Sequence, residues 1–278
     1  MDLVKRRKLS SADRILTALA ISRMVLFWIA SLDWWIFVQY RALWMTGNVL
    51  KIINITWIVV SHYSIWLTST LSIFYFLKIA NFSNSIFLYL KWRVGKVVSL
   101  TLLVALVLMF VSIVCTNADI AVMIDAYKGN LSYSSQDSAQ FSTLLPFIKT
   151  VLLFIPFTVN LTTFLLLIFS LRKHLKRMQH NVRGYGDAST LAHTKALQIV
   201  MASLLLYIIF FLSLLVKAWN SQLLMKNFIF FLCQTAANAF HSCHSCVLIL
   251  GNSKLRQACC SVLRRLGHGS NDADPSGP

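Results

Sequence analysis

The sequence predicts an all-α membrane protein, and three observations carry that prediction. Hydrophobic residues make up 57% of the chain and the mean hydropathy is +0.67, against an apolar share of about 45–50% in soluble domains. Only 13% of residues are charged, about half the soluble norm of roughly 25%. The apolar surplus falls in uninterrupted blocks close to the ~20 residues that a helix needs to cross the hydrocarbon core. Gly (9) and Pro (4) are scarce, and the sequence lacks the short alternating segments and frequent turns of a β-barrel.

Six blocks qualify as spans, at about residues 15–37, 52–76, 97–115, 144–171, 196–216 and 228–250. The first opens with Ser10-Ser11-Ala12-Asp13, which caps a helix start and places a carboxylate near its positive dipole end. Residues 1–266 read as a single transmembrane bundle and 267–278 as a short disordered tail.

Charge sets the orientation. One side of the membrane collects Lys5, Arg6, Arg7, Lys8 and Arg14, then Lys78, Lys91, Arg93 and Lys96, then Arg172, Lys173, Lys176, Arg177, Arg183 and Lys195, then Lys254, Arg256, Arg264 and Arg265. The other side holds only Arg41, Lys51, Lys128, Lys149, Lys217 and Lys226. The positive-inside rule therefore predicts a multi-pass plasma-membrane protein with both termini of this sequence cytoplasmic. The long loop at about Thr116–Thr143 falls outside and carries the sequon Asn130-Leu131-Ser132, so Asn130 is the expected glycosylation site. A net charge of +17 on a soluble chain would suggest nucleic acid. Here the cations form short runs beside apolar blocks, which makes the lipid bilayer the partner and excludes nucleic acid. No apolar leader precedes Lys5-Arg6-Arg7-Lys8, so no signal peptide is expected.

Enzyme chemistry finds no support. The chain contains no Glu, no Gly-rich phosphate loop and no nucleophile–base–acid set; no catalytic residue and no cofactor is expected. His241, Cys243, His244 and Cys246 invite a metal reading, but on one helix the His pair and the Cys pair lie on different faces and cannot converge tetrahedrally. Arg23 is an ionisable side chain deep in the first block, which costs a few kcal/mol unless paired. It reads either as a polar hub that changes partners on activation or as static helix–helix glue. Cys259 and Cys260 follow the last block beside Arg256, Arg264 and Arg265, a setting in which an amphipathic tail helix accepts an acyl chain.

Five stretches resemble one family, the bitter taste receptors (type 2 taste receptors, which are G-protein-coupled). They are Leu9-Ser10-Ser11-Ala12-Asp13-Arg14-Ile15-Leu16-Thr17-Ala18-Leu19-Ala20-Ile21-Ser22-Arg23; Leu71-Ser72-Ile73-Phe74-Tyr75-Phe76-Leu77-Lys78-Ile79-Ala80-Asn81-Phe82-Ser83; Ile155-Pro156-Phe157; His193-Thr194-Lys195-Ala196-Leu197; and His244-Ser245-Cys246-Val247-Leu248-Ile249-Leu250-Gly251-Asn252-Ser253-Lys254-Leu255-Arg256-Gln257. The resemblance implies a seven-transmembrane-receptor bundle with six predicted helices present: Met1 falls in the family's first inner loop, and its first helix has no counterpart. In the family the arginine that matches Arg23 bonds a polar residue of that first helix, so Arg23 is expected to be under-satisfied. His241 stands where the family usually has Pro, which removes a helix distortion.

The resemblance further implies small-molecule bitter ligands bound in the outer half of the bundle. It places Trp57, Ser61, His62, Phe210 and Gln234 there, and Trp57 and Ser61 share a helix face at i, i+4. The competing reading of Trp57 and Phe210 is plain interface or core aromatics. On the inner side it implies a heterotrimeric, gustducin-like G protein contacted by Tyr75, Lys78, Lys173, Lys176 and Lys195. An even span count with both ends inside also suits a six-span transporter or channel subunit, although neither internal repeats nor paired broken helices are present. A truncated, non-signalling receptor product is the remaining alternative.

Overall fold

The computed structural model describes residues 11–40, 47–127, 135–181, 188–219 and 228–271. They form eight helices: α1 (Ser11–Gln39), α2 (Gly47–Ile79), α3 (Ser85–Trp92), α4 (Val94–Tyr127), α5 (Ser135–Asn181), α6 (Ala188–Trp219), α7 (Phe228–Gly251) and α8 (Ser253–Asn271). There is no strand among the described residues. This is an all-α membrane-receptor bundle. Asn130 and its sequon lie outside the described residues.

Four helical segments are long and apolar enough to cross a bilayer by composition: Ser11–Ile36, Val94–Ala118, Leu144–Lys176 and Thr194–Val216. Helices α2 and α7, which hold the expected spans 52–76 and 228–250, are not among them; for α2 the polar composition of its buried stretch explains why. It runs through the middle of the bundle against α1, α4 and α5, and residues 64–72 are buried without a break. That stretch holds Ser64, Thr68, Ser69, Thr70 and Ser72, so its inward faces are polar where a lipid-facing helix would be aliphatic. The hydroxyls bond back one turn: Thr68 to the Ser64 carbonyl at 2.9 Å, Thr70 to that of Trp66 at 2.7 Å and Ser72 to that of Thr68 at 3.0 Å. Such small, self-satisfied side chains let neighbouring backbones come close, the packing mode that replaces the hydrophobic effect inside a membrane. Helix α4 is the opposite case. Only 6% of its spanning window is buried, which suits a helix that faces lipid.

Local chemistry sets the remaining bounds. Asn84 caps α3, its Oδ1 accepting the Ile86 amide at 2.9 Å, the usual Asx cap. Lys91 turns back to donate to the Ala80 carbonyl at 3.0 Å, and Phe76, Phe82 and Phe87 meet at centroid distances of 5.3–6.1 Å. These contacts fold the segment after α2 against its own helix. Helix α5 carries Pro146 and Pro156 in its interior. Each proline leaves a carbonyl one turn earlier without its amide, a defect that a membrane helix tolerates where neighbours and side chains compensate.

Candidate functional site

Arg23 sits near the middle of α1, nine residues after Arg14, and is only 8% exposed. A guanidinium has donors alone, so burial obliges it to find acceptors on other helices. It finds three. Nη1 donates to Ser245 Oγ at 2.6 Å, and Nη2 donates to His244 Nδ1 at 2.6 Å and, more weakly, to Thr68 Oγ1 at 3.4 Å. Because the guanidinium cannot accept, His244 must present the Nδ1 lone pair to it. Ser245 in turn donates to the His241 carbonyl at 2.7 Å. Arg23 thus ties α1 to α2 and α7. One guanidinium atom, Nε, is buried without a hydrogen-bond partner among the described residues. A cavity of about 780 Å³ opens beside it between α1 and α7, lined by Arg23, Phe27, Trp34, Asn238, His241 and Ser245 among others.

From His244 a line of stacked rings leads away from the hub. Its imidazole lies on Phe240 (5.5 Å, 18°), and Phe240 lies on Phe210 of α6 (4.3 Å, 19°). Tyr207 stands against Phe240 at 5.8 Å and continues to Phe157 at 6.0 Å, which stacks on Phe211 at 3.7 Å. His241 packs its edge on Phe210 and brings Nδ1 to 3.4 Å from Ser64 Oγ. Five helices are therefore joined through rings and one cation at the level of Ile65, Tyr207, Phe210, Ala237 and Phe240, a buried apolar cluster.

The sequence-named residues sit around this line in different ways. Phe210 is part of it, 3% exposed. Ser61 is buried and donates to the Ile58 carbonyl at 3.2 Å, so its face of α2 points into the bundle, with half-buried Trp57 one turn earlier. His62 turns the other way, its Nε2 3.0 Å from the Ala105 carbonyl of α4. Gln234 belongs to α7, but its side chain lies outside the described residues. None of Trp57, Ser61, His62 or Phe210 lines the α1–α7 cavity.

At the opposite end, Lys78 closes α2, Lys173 and Lys176 close the spanning part of α5, and Lys195 opens that of α6; all four are exposed. The ends of α2 and α5 meet, since the Asn81 amide donates to Ser170 Oγ at 3.4 Å and Phe82 stacks on Phe169 at 6.5 Å. Tyr75 is half-buried, edge-on to Phe74 at 6.1 Å.

Sequence reasoning overlooked Asn160. It is 0% exposed, and its amide donates to Ser69 Oγ of α2 at 2.6 Å and to the Pro156 carbonyl at 3.1 Å, while its Oδ1 is buried without a hydrogen-bond partner among the described residues. The signal was available: a lone amide in an apolar block, four residues after a proline. The His244–Ser245 pair was weighed only as a motif and as metal ligands, although paired polar residues in a span call for a polar partner. On α7, His241 and His244 are buried while Cys243 and Cys246 are exposed. No group of three or more candidate ligands comes together among the described residues.

The family model for taste receptor proteins (TAS2R) matches residues 1–267. The chain is 52% identical over its whole length to rat taste receptor type 2 member 140, covering 90% of that protein. It is 51% identical to human taste receptor type 2 member 14, covering 87%, and 49% identical to rat taste receptor type 2 member 116 over 96% of this chain and 82% of the relative. The chain belongs to the type 2 taste receptor family, the family that its five sequence motifs resemble.

Proposed function

We propose that this chain is a G-protein-coupled receptor for bitter small molecules, bound in the outer half of the bundle and signalling to a heterotrimeric G protein at the inner ends. It sits in the plasma membrane with both termini of this sequence cytoplasmic. The observation that carries the reading is the unbroken line Phe210–Phe240–His244–Arg23. A ligand wedged beside Phe210 cannot displace that ring without moving Phe240, stacked at 4.3 Å, and Phe240 carries the imidazole that holds Arg23. Packed rings and short bonds to a cation have few alternative arrangements, so a local push selects a second packing rather than a graded deformation.

No chemistry is performed; the output is a shift in population. Moving a two-state bundle from 1:99 to 99:1 needs about 5.5 kcal/mol of differential ligand affinity, within reach of a drug-sized ligand in an apolar pocket with a few polar groups. Trp57 and Ser61 supply an inward-facing aromatic and a hydroxyl on α2. The exposed lysines at the inner ends of α2, α5 and α6, with Tyr75, form the G-protein face.

The test is calcium imaging of cells that express the chain with a promiscuous G protein, challenged with a panel of bitter compounds. An agonist response that Trp57→Ala weakens through EC50 and that Arg23→Met weakens through maximal signal supports the reading. Surface expression with no response to any compound refutes it.

A further inference from the structure

The groove between α1 and α7 has two unlike walls. On α1, Arg23, Phe27, Ser31 and Trp34 line it at spacings of four, four and three residues, which is one face of a helix. Phe27 and Trp34 are 65% and 62% exposed, so their rings are open to whatever enters. On α7, Thr235, Asn238, Ser242 and Ser245 line it at spacings of three, four and three, again one face, and each of them is polar. The lining runs from Ala20 to Trp34 along α1, roughly 21 Å at the helical rise per residue. Its volume of about 780 Å³ is that of a small-molecule site.

Charge says which small molecule. No Asp or Glu is among the lining residues, and the three described partners of Arg23, namely Ser245, His244 and Thr68, accept as neutral groups. Apart from Nε, the hydrogen bonding of the guanidinium is met, but its charge is not. A buried cation without a counter-charge is costly inside a membrane, and an anion in the groove supplies one. The exposed rings on α1 suit an aromatic body, and the polar wall of α7 faces it from the other side.

We propose that the α1–α7 groove is a second ligand site and that it takes an aromatic monocarboxylic acid, with the carboxylate at Arg23 and the ring system against Phe27 and Trp34. A carboxylate presents the planar oxygen edge that a guanidinium matches. Such an acid enters the bilayer in its neutral form and binds as the carboxylate, its proton passing to water. The site is separate from Trp57, Ser61, His62 and Phe210, none of which lines it. Because the same cation holds Ser245 and His244, an occupant here acts on the hub directly.

The test is binding to the purified full chain in nanodiscs of phosphatidylcholine, which contain no anionic lipid. The probes are tritiated naphthalene carboxylate and its neutral carboxamide. Saturable binding of the acid is expected, at least about tenfold tighter than that of the amide, a factor within the range of one hydrogen bond to a charged group. Ala239→Trp, which fills the groove without touching the charge, should weaken the acid by at least about tenfold, and Arg23→Met should bring acid and amide to equal affinity. Trp57→Ala should leave acid binding unchanged. The proposal is overturned if the unaltered chain binds acid and amide equally or binds neither. It also falls if acid binding survives Ala239→Trp, or if Trp57→Ala abolishes it, which would put the acid in the outer-half site. Absence of binding together with a second polypeptide in the mass of the particle gives the groove to a protein helix and refutes the proposal as well. Should Ala239→Trp not fold, the comparison of acid and amide on the unaltered chain decides alone.

Discussion

Replacing His244 by alanine, with and without Arg23→Met, tests whether Arg23 organises the bundle. His244 contributes an acceptor at 2.6 Å to a cation that is 8% exposed, and its ring lies on Phe240. A hydrogen bond to a charged group contributes about 1.5–3 kcal/mol in soluble proteins, while interhelical pairs in a membrane protein average ~0.6 with a maximum of ~1.7. Arg23 has Ser245 and Thr68 in reserve, so the loss in the wild-type background should be about 1–2 kcal/mol. For a chain of this size that corresponds to a thermal midpoint lowered by about 2–8 °C. Arg23→Met keeps the length of the side chain and removes the charge. In that background His244→Ala deletes only the ring contact, and the loss should shrink by ~1 kcal/mol, the coupling that a double-mutant cycle isolates. The measurement is thermal aggregation of the detergent-solubilised, fluorescently tagged receptor followed by size-exclusion chromatography. Equal losses for His244→Ala in the two backgrounds would show that the cation and the imidazole are not coupled, and the hub would reduce to coincidental proximity.

Two further perturbations follow from the packing. Asn160→Ala removes the only side-chain link from α5 to Ser69 that the bonds above describe and should cost about 1–2 kcal/mol, whereas Ser69→Ala should cost less than about 1, because Asn160 keeps the Pro156 carbonyl; the same thermal assay ranks the two. A side chain at Gly251 would meet Ile199 of α6, whose nearest atoms stand 3.1 and 3.2 Å from a Cβ built there. Gly251→Leu should therefore destabilise by about 1–3 kcal/mol through overpacking, and Ile199→Ala in the same chain should recover most of that loss.

The fold class was legible because bulk apolarity and block length respond directly to the bilayer. What composition could not convey is which helices lie inside. Residues 64–72 of α2 are its most buried stretch and also rich in hydroxyls, so hydropathy alone ranks α2 below the lipid-exposed α4. In a membrane apolar surface also faces outward, so hydropathy does not separate inside from outside; the interior of this bundle sets hydroxyls beside apolar clusters such as Ile65, Phe210 and Phe240. Arg23 stood out from the sequence because a charge in a span is costly wherever it points. Its partners did not, because His244 and Ser245 lie more than 220 residues away in the chain and only the docking of α7 on α1 selects them. The motif resemblance grouped Phe210 and His62 as one ligand-facing set. The structure stacks Phe210 on Phe240 and brings His62 Nε2 to the Ala105 carbonyl of α4, contacts that motif matching does not resolve.

The His at 241, where the family usually has Pro, offers a way to ask whether the register of α7 matters to the hub. In an unbroken α7 the His241 amide bonds the Ala237 carbonyl, and Ala237 is 1% exposed within the ring cluster. His241→Pro deletes that amide, strands a buried carbonyl and sets a pyrrolidine ring against it, at a cost of about 3 kcal/mol unless the helix bends. It also removes the imidazole that stands 3.4 Å from Ser64. A bend at 241 swings everything after it, and His244 and Ser245, the two short-range partners of Arg23, come three and four residues later. If the cost arises in the helix itself, His241→Pro should lower the thermal midpoint equally with Arg23 present or replaced by Met. If α7 is held in register by the cation, the drop should be larger by ~1 kcal/mol in the Arg23 chain, and the calcium response should fall in that chain. The hub argument requires the second result; equal drops would place the effect of residue 241 in backbone strain alone and leave Arg23 without a part in setting the position of α7.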